Sequence, residues 1–218
     1  QVSPMNQSLS PARGLVCFDL DGTLLRGRTV CELLAGPLGR CREMEQFESR
    51  KFTSEQEIAE ARVEMARWYE GVSLVELERY CEGAVWAPGA VEAVAYLQQR
   101  NIHVAIASIT WKFAVAWFAA RLDIANFLGT DLLPSGDIEH VWGHTKGTWL
   151  LELAKDFGVE ASRIAAVGDS AGDIDLLKAA ALRFFVGPEP PDAVPGVIHL
   201  PAADIRTIAE HIVHVWRV

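Results

Sequence analysis

Two kinds of hydrophobic pattern alternate along the chain. Short continuous apolar runs, Leu15–Phe18, His103–Ala107, Arg163–Val167, Leu182–Val186 and Val197–Leu200, read as buried strands. Between them, apolar residues return every three or four positions. Val91, Val94 and Leu97 mark a helix over Ala90–Arg100, and further helices are predicted over Lys112–Leu122, Thr148–Phe157, Asp173–Ala180 and Ala203–Val215. Phe127–Leu133 and Glu139–Trp142 read as two weaker strands or turns. Strands that are apolar throughout and alternate with helices predict an α/β fold, a parallel sheet with helices on both faces. One block breaks the alternation. After Leu24, Val30, Leu33, Leu34 and Leu38 recur at helical spacing, with a kink expected at Gly36-Pro37. Ser54-x-x-Glu57 and Ser73-x-x-Glu76 are capping-box signatures opening two more helices, one carrying Ile58, Ala61, Met65, Trp68 and Tyr69, the other Leu74, Leu77, Tyr80 and Cys81. The chain therefore divides into a discontinuous α/β core, residues 13–25 and 87–218, and an inserted helical cap, residues 26–86. Residues 1–12, polar with two prolines, read as a loose tail and not as a signal peptide.

Composition narrows the class. Of 218 residues half are hydrophobic, which describes a globular chain with ample core. A net charge of −9, from 20 basic and 29 acidic residues, argues against nucleic acid as a partner. Cys17, Cys31, Cys41 and Cys81 form no C-x-x-C pair and fit a reduced, cytoplasmic protein. No apolar run reaches 18 residues, so no membrane span is expected.

The candidate chemistry gathers at strand ends. Asp19 and Asp21 close the first strand, and residues two apart there can converge on one point. Two carboxylates held that close repel unless a cation neutralises them, and a hard divalent ion with oxygen ligands, most simply Mg²⁺, is the natural partner. Gly22 permits tight backbone geometry, and Thr23 offers a hydroxyl and an amide to an anion. An Asp-Gly turn closing a hairpin is the plain alternative for this stretch alone. Ser108 ends the second strand, and Asp169 and Asp173 follow the third; Ser170 or Asp173 as a helix cap would leave Asp169 unexplained. Lys146 sits at a helix start, where a cation is out of place, so a nearby anion is expected. Ligands of open α/β sheets bind at this edge.

In order and spacing these residues resemble the haloacid dehalogenase superfamily of phosphotransfer enzymes. Asp19-x-Asp21-Gly22-Thr23 is similar to its first motif, Ala107-Ser108 to its second, Thr145-Lys146-Gly147 to its third and Gly168-Asp169-x-x-x-Asp173 to its fourth. The resemblance covers about residues 14–190 and implies a Rossmann-like sheet with an inserted cap. It also implies a Mg²⁺-dependent phosphomonoesterase. Asp19 would be the nucleophile and Asp21 the general acid and base. Asp19, Asp21 and Asp169 would hold the metal; Thr23, Ser108, Ile109 and Lys146 would hold the phosphate; Asp173 and Gly22 would support them. The cap position looks most like the phosphoserine-phosphatase branch. Three stretches depart from that branch: Gly27-Arg28 where it carries a glutamate, Ser108-Ile109-Thr110 where it has Ser-Gly-Gly, and Gly172 where it has Asn. The substrate stays open among phosphoserine, other phosphorylated amino alcohols, sugar phosphates and glycerol phosphates, and the protein is expected to be a monomer or homodimer. Arg28, Glu32, Arg62, Arg67 and Trp68 are cap candidates for gripping it, with exposed helix faces and bundle core as their plain readings. His140 and His144 are read as loop residues. Competing functions are a phosphotransferase or phosphomutase on the same scaffold, a metal-free carbon–halogen hydrolase, which would not need Asp21 or Asp169, and a binding protein with a vestigial site.

Overall fold

The computed structural model describes residues 12–50 and 52–218; all but one residue of the expected tail lie outside that range. The chain opens with strand β1 (Gly14–Phe18), whose five residues are all buried. It then makes a short strand β2 (Leu25–Arg26) and four helices: α1 (Val30–Ala35), α2 (Cys41–Ser49), α3 (Glu55–Trp68) and α4 (Leu74–Tyr80). Strand β3 (Val85–Trp86) returns antiparallel to β2, so the two chain crossings into and out of the helical block lie side by side. Helix α5 (Ala90–Gln98), strand β4 (Ile102–Trp111), helix α6 (Lys112–Arg121) and strands β5 (Asn126–Leu132) and β6 (Ile138–Glu139) follow. The chain ends with α7 (Gly143–Asp156), β7 (Ile164–Gly168), α8 (Ile174–Ala179), β8 (Leu182–Phe185), β9 (Ile198–His199) and α9 (Ile205–Trp216).

The main sheet has the order β6-β5-β4-β1-β7-β8-β9. Its strands are parallel, as expected, except β6, which pairs antiparallel with β5 at one edge. β1 is central, flanked in register by β4 and β7. Alternate residues of these strands feed two separate apolar layers. Val16, Phe18, Val104, Ile106 and Val167 pack with α5, α6 and α9, and this layer runs on into the helical block through Leu34, Met65 and Trp68. Leu15, Cys17, Ala105, Ala107 and Ala166 pack with Leu150 of α7 and Leu176 and Leu177 of α8. The crossovers from β1 lead to β4 on one side and from there to β7 on the other, which places the carboxyl ends of all three around one crevice.

Four local features differ from the sequence reading. α2 was not anticipated as a separate helix, nor was the β2–β3 pair. β4 continues beyond Ser108 to Trp111, with a register irregularity against β5 between Ala107 and Trp111. α7 begins at Gly143, five residues before Thr148, so Lys146 and His144 lie in its first turn; His144 is not a loop residue. Thr145 drives that early start, because its hydroxyl donates to the Trp142 carbonyl (2.7 Å) and accepts from the Trp142 amide (2.9 Å). Gly147 then lets α7 press on α8, since a Cβ there would stand 2.5 Å from the Asp175 carbonyl oxygen.

The junction between the helical block and the sheet rests on an aromatic cluster. Phe118 of α6 meets Trp86 of β3 and Trp117 edge-on, at centroid distances of 5.5 and 4.9 Å, and is 1 % exposed. Phe118→Ala is expected to lower the unfolding free energy by about 3–5 kcal/mol in urea denaturation, the cost of an aromatic cavity. A loss below about 1 kcal/mol would show that the junction does not depend on this ring.

Candidate active site

A buried ion cluster occupies the crevice at the carboxyl ends of β1, β4 and β7. Lys146 reaches down from the first turn of α7, and its Nζ donates to Asp19 Oδ1 at 2.7 Å and to Asp173 Oδ1 at 2.8 Å. The three side chains are 2 %, 8 % and 0 % exposed. The misplaced cation at a helix start thus has its anions, on two other elements. The second oxygen of Asp173 accepts from the amides of Asp169 (3.0 Å) and Ser170 (3.2 Å). Asp173 therefore ties Lys146 to the loop that carries Asp169. Gly168 makes this possible, because a Cβ there would lie 2.5 Å from the Asp173 Cβ.

Carboxylate oxygens of Asp19, Asp169 and Asp173 lie within 4.8 Å of one another, a spacing that suits a single divalent cation. Gly22 adopts φ +82°, and any Cβ there would overlap the Asp169 carboxylate, so this position admits Asp169 into the cluster only as glycine. The electrostatics fit the same ion. Burial, then the charge of Asp173, holds Asp19 well above the usual carboxylate range. Asp169 is raised by burial and by Asp173. Burial pushes Asp21 up to about 7, against the opposing amide of Val30. Burial pulls Lys146 down, but Asp19 and Asp173 outweigh it and hold the ammonium above its usual range. One lysine does not balance these carboxylates, and a hard cation would.

The other candidates fall in several places. Asp21 Oδ1 accepts from the Val30 amide (2.8 Å) at the start of α1, which fixes its carboxyl beside the cluster. Thr23 is fully buried, with its amide on the Leu20 carbonyl (3.2 Å) and its hydroxyl on Asp169 (3.4 Å). It braces the loop, and both groups are engaged within the protein. Ser108, 2 % exposed, accepts from the Thr110 amide (3.2 Å), while Ile109 is 42 % exposed and its carbonyl takes the Thr130 hydroxyl (2.8 Å). Arg28 is exposed, and Glu32 closes the capping box of α1 by accepting from the Thr29 amide (2.6 Å). Arg67 pairs with Glu64 on the surface, and Trp68 is buried against Phe47.

Arg62 is 5 % exposed and crosses from α3 to the sheet side. Its Nη2 donates to the carbonyls of Val141 (2.8 Å) and Ile109 (3.2 Å), its Nη1 meets His140 Nδ1 (3.0 Å), and its guanidinium lies 4.7 Å over the Trp142 ring. His140, read as a loop residue without a task, is thus part of the seat for this arginine. Burial lowers the Arg62 pKa to about 10.

Between α2, α3 and the ion cluster lies a cavity of about 450 Å³. Asp19, Asp21, Asp169 and Lys146 form its floor, and Met44, Phe47, Phe52, Ile58 and Met65 form much of its wall. The residues from α2 and the segment after it were not foreseen as site residues. Their only signal was the three-residue spacing of Met44 and Phe47 in an otherwise charged stretch.

Comparison with known proteins agrees with this geometry. The sequence model of haloacid dehalogenase-like hydrolases matches residues 16–178. The chain is similar to a phosphoserine phosphatase of Idiomarina loihiensis, 27 % identical over 81 % of this chain and 83 % of that protein. It is also similar to one of Methanocaldococcus jannaschii, 24 % identical over 91 % and 97 %. Its fold superimposes on a solved phospho-aspartyl intermediate analogue of phosphoserine phosphatase with a TM-score of 0.75 at 23 % identity, covering 92 % of this chain and 99 % of that one.

Lys146→Met would leave Asp19 and Asp173 buried without their cation. It is expected to cost about 3–5 kcal/mol of stability in EDTA, as breaking a buried pair does. Asp19 has a folded pKa above its unfolded value of about 3.9. A raised carboxylate loses stability as pH rises between those two values, and removing the cation widens the window. The variant's deficit should therefore be larger at pH 8 than at pH 5 in chemical denaturation; an equal deficit at both would contradict the charge account.

Proposed function

The chain belongs to the haloacid dehalogenase-like hydrolases, and from that premise we propose that it is a Mg²⁺-dependent phosphomonoesterase working through an aspartyl-phosphate on Asp19. The observation that carries this reading is the meeting of buried Asp19, Lys146 and Asp173 with half-buried Asp169 at one strand edge. Asp19, Asp169 and the Asp21 backbone would hold the metal, with Asp173 supporting them. Bound there, Mg²⁺ neutralises charge on the phosphoryl oxygens and lets a dianion approach a carboxylate.

The protein's own groups supply the rest. Lys146 fixes the Asp19 carboxylate for in-line attack and sets a positive charge beside the incoming phosphoryl group. A bond forms from an Asp19 oxygen to phosphorus as the ester P–O bond breaks. Asp21, which burial keeps protonated close to neutral pH, gives its proton to the departing alkoxide. It then takes a proton from the water that attacks phosphorus, which returns Asp19 as a carboxylate and releases inorganic phosphate. The Ser108 hydroxyl and the Ile109 amide would receive phosphate oxygens, and Thr23 serves by holding Asp169. A metal-free carbon–halogen hydrolysis would leave the placement of Asp169 beside Asp19 without a use.

The helical block of residues 26–86 acts as a cap in this reading. Its two connections run together as β2 and β3, and the flanking Gly27 and Gly89 adopt φ +77° and +69°, which suits a paired hinge. Water exclusion would follow from closure of α2 and α3 over the floor. The protein acts on a small soluble phosphorylated compound, and no described helix is long and apolar enough to cross a membrane.

Phosphate release from p-nitrophenyl phosphate is expected to require Mg²⁺, to stop in EDTA and to return when Mg²⁺ is restored. Asp19→Asn should lower kcat by about three orders of magnitude or more while circular dichroism stays unchanged, as loss of a covalent nucleophile does. EDTA-insensitive turnover, or an Asp19→Asn variant of near-normal kcat, would overturn the mechanism.

A further inference from the structure

We infer that the cavity over the ion cluster selects phosphomonoesters whose alcohol is apolar and carries no carboxylate; this rests on the phosphatase reading above and names the substrate class of the same site. The wall facing the floor is built from Met44, Phe47, Phe52, Ile58 and Met65, side chains that reward contact with carbon. The methionines add an adaptable, polarisable surface. Phe47 is itself backed by the stacked Trp68 ring at 5.7 Å, so this part of the wall is firm.

Recognition of a carboxylate is served best by an available cation, and among the described residues the lining holds two, Lys146 and Arg62. Lys146 is committed to Asp19 and Asp173. Arg62 gives three of its N–H groups to His140, Ile109 and Val141 and stacks on Trp142, so its fork is turned to the protein. Four carboxylates share the lining with these two cations: Asp19, Asp21, Asp169 and Glu48. Glu48 stands on the cap side, where burial and the charge of Glu32 raise its pKa, and a carboxylate on the substrate would meet that same field. Of the other charged cap positions that the sequence offers for gripping a substrate, Glu32 caps α1, Arg28 faces solvent and Arg67 pairs with Glu64 on the surface. An apolar alcohol removes its own carbon from water against this wall and asks nothing of the committed cations.

The test compares kcat/KM for ethyl, n-butyl and phenyl phosphate with phosphoserine and phosphoglycolate, all with Mg²⁺ and with Asp19→Asn as the control for the shared chemistry. The wild-type protein is expected to favour n-butyl and phenyl phosphate at least tenfold over both carboxylate esters. Extending the chain from ethyl to n-butyl should raise kcat/KM by about fourfold per methylene, in line with the burial of a CH₂. Ile58→Arg, which adds a free cation to a half-exposed position of the wall, should cut the preference by improving KM for the carboxylate esters. Phe47→Ala should flatten the chain-length trend. Phosphoserine or phosphoglycolate as the better substrate would overturn the selectivity while leaving the phosphatase reading standing. Failure of every ester to release phosphate would instead overturn the phosphatase reading itself.

Discussion

Everything in this molecule turns on one buried lysine between two buried aspartates. An ammonium and two carboxylates held in a nearly dry crevice are costly to bring there, and as a device for stability such a group is a poor choice. It makes sense as a fixed electrostatic socket. Lys146 comes from α7, Asp19 from the end of β1 and Asp173 from the turn before α8, so the ion contacts lock three elements at one edge of the sheet. The same contacts leave Asp19 and Asp169 with more negative charge than the protein neutralises, which is the condition a divalent cation and a phosphoryl group would satisfy together.

The fold supplies that precision with small residues in a few places. Gly22 admits Asp169, Gly168 admits Asp173 and Gly147 lets α7 approach α8. Each removes a Cβ where two segments that carry a charged group must come close. The two apolar layers on either face of the sheet then hold β1, β4 and β7 in register, so polar groups from distant parts of the chain arrive at one edge. Arg62 performs the matching task for the helical block. It anchors α3 to the carbonyls of Ile109 and Val141, one beside the end of β4 and the other just before α7. Its charge is absorbed by carbonyls and an aromatic face, not by a carboxylate.

Much of this was legible in the sequence because it is local. The apolar run before Asp19-x-Asp21, the glycine beside it and the capping residues Ser54 and Ser73 each announce a structure within a few positions, and both serines do accept from the amide three residues on. What stayed hidden depends on distant partners or on weak local signals. α2 lies in a stretch dense with charge and has no side-chain cap at Arg40, so only Met44 and Phe47 marked its inner face. The start of α7 was masked by two glycines, whose low helix propensity is overridden by Thr145 and by packing on α8. The antiparallel β6 is two residues long, too short for a period to show. Arg62 and His140 are 78 positions apart, and no sequence pattern links them. Thr23 lies in the right loop to meet a phosphate, but the direction of its hydroxyl, toward Asp169, is set by tertiary contact.

The central claim is that Asp19 is the group that receives the phosphoryl. The most direct measurement is peptide-mapped mass spectrometry of protein quenched in acid during turnover of a phosphomonoester with Mg²⁺. The account predicts one phosphoryl group, carried by the peptide containing Asp19, acid-stable, removed by hydroxylamine and absent when Asp19 is asparagine. A phosphoryl group on another residue, or continued turnover with no labelled peptide at any quench time, would contradict it.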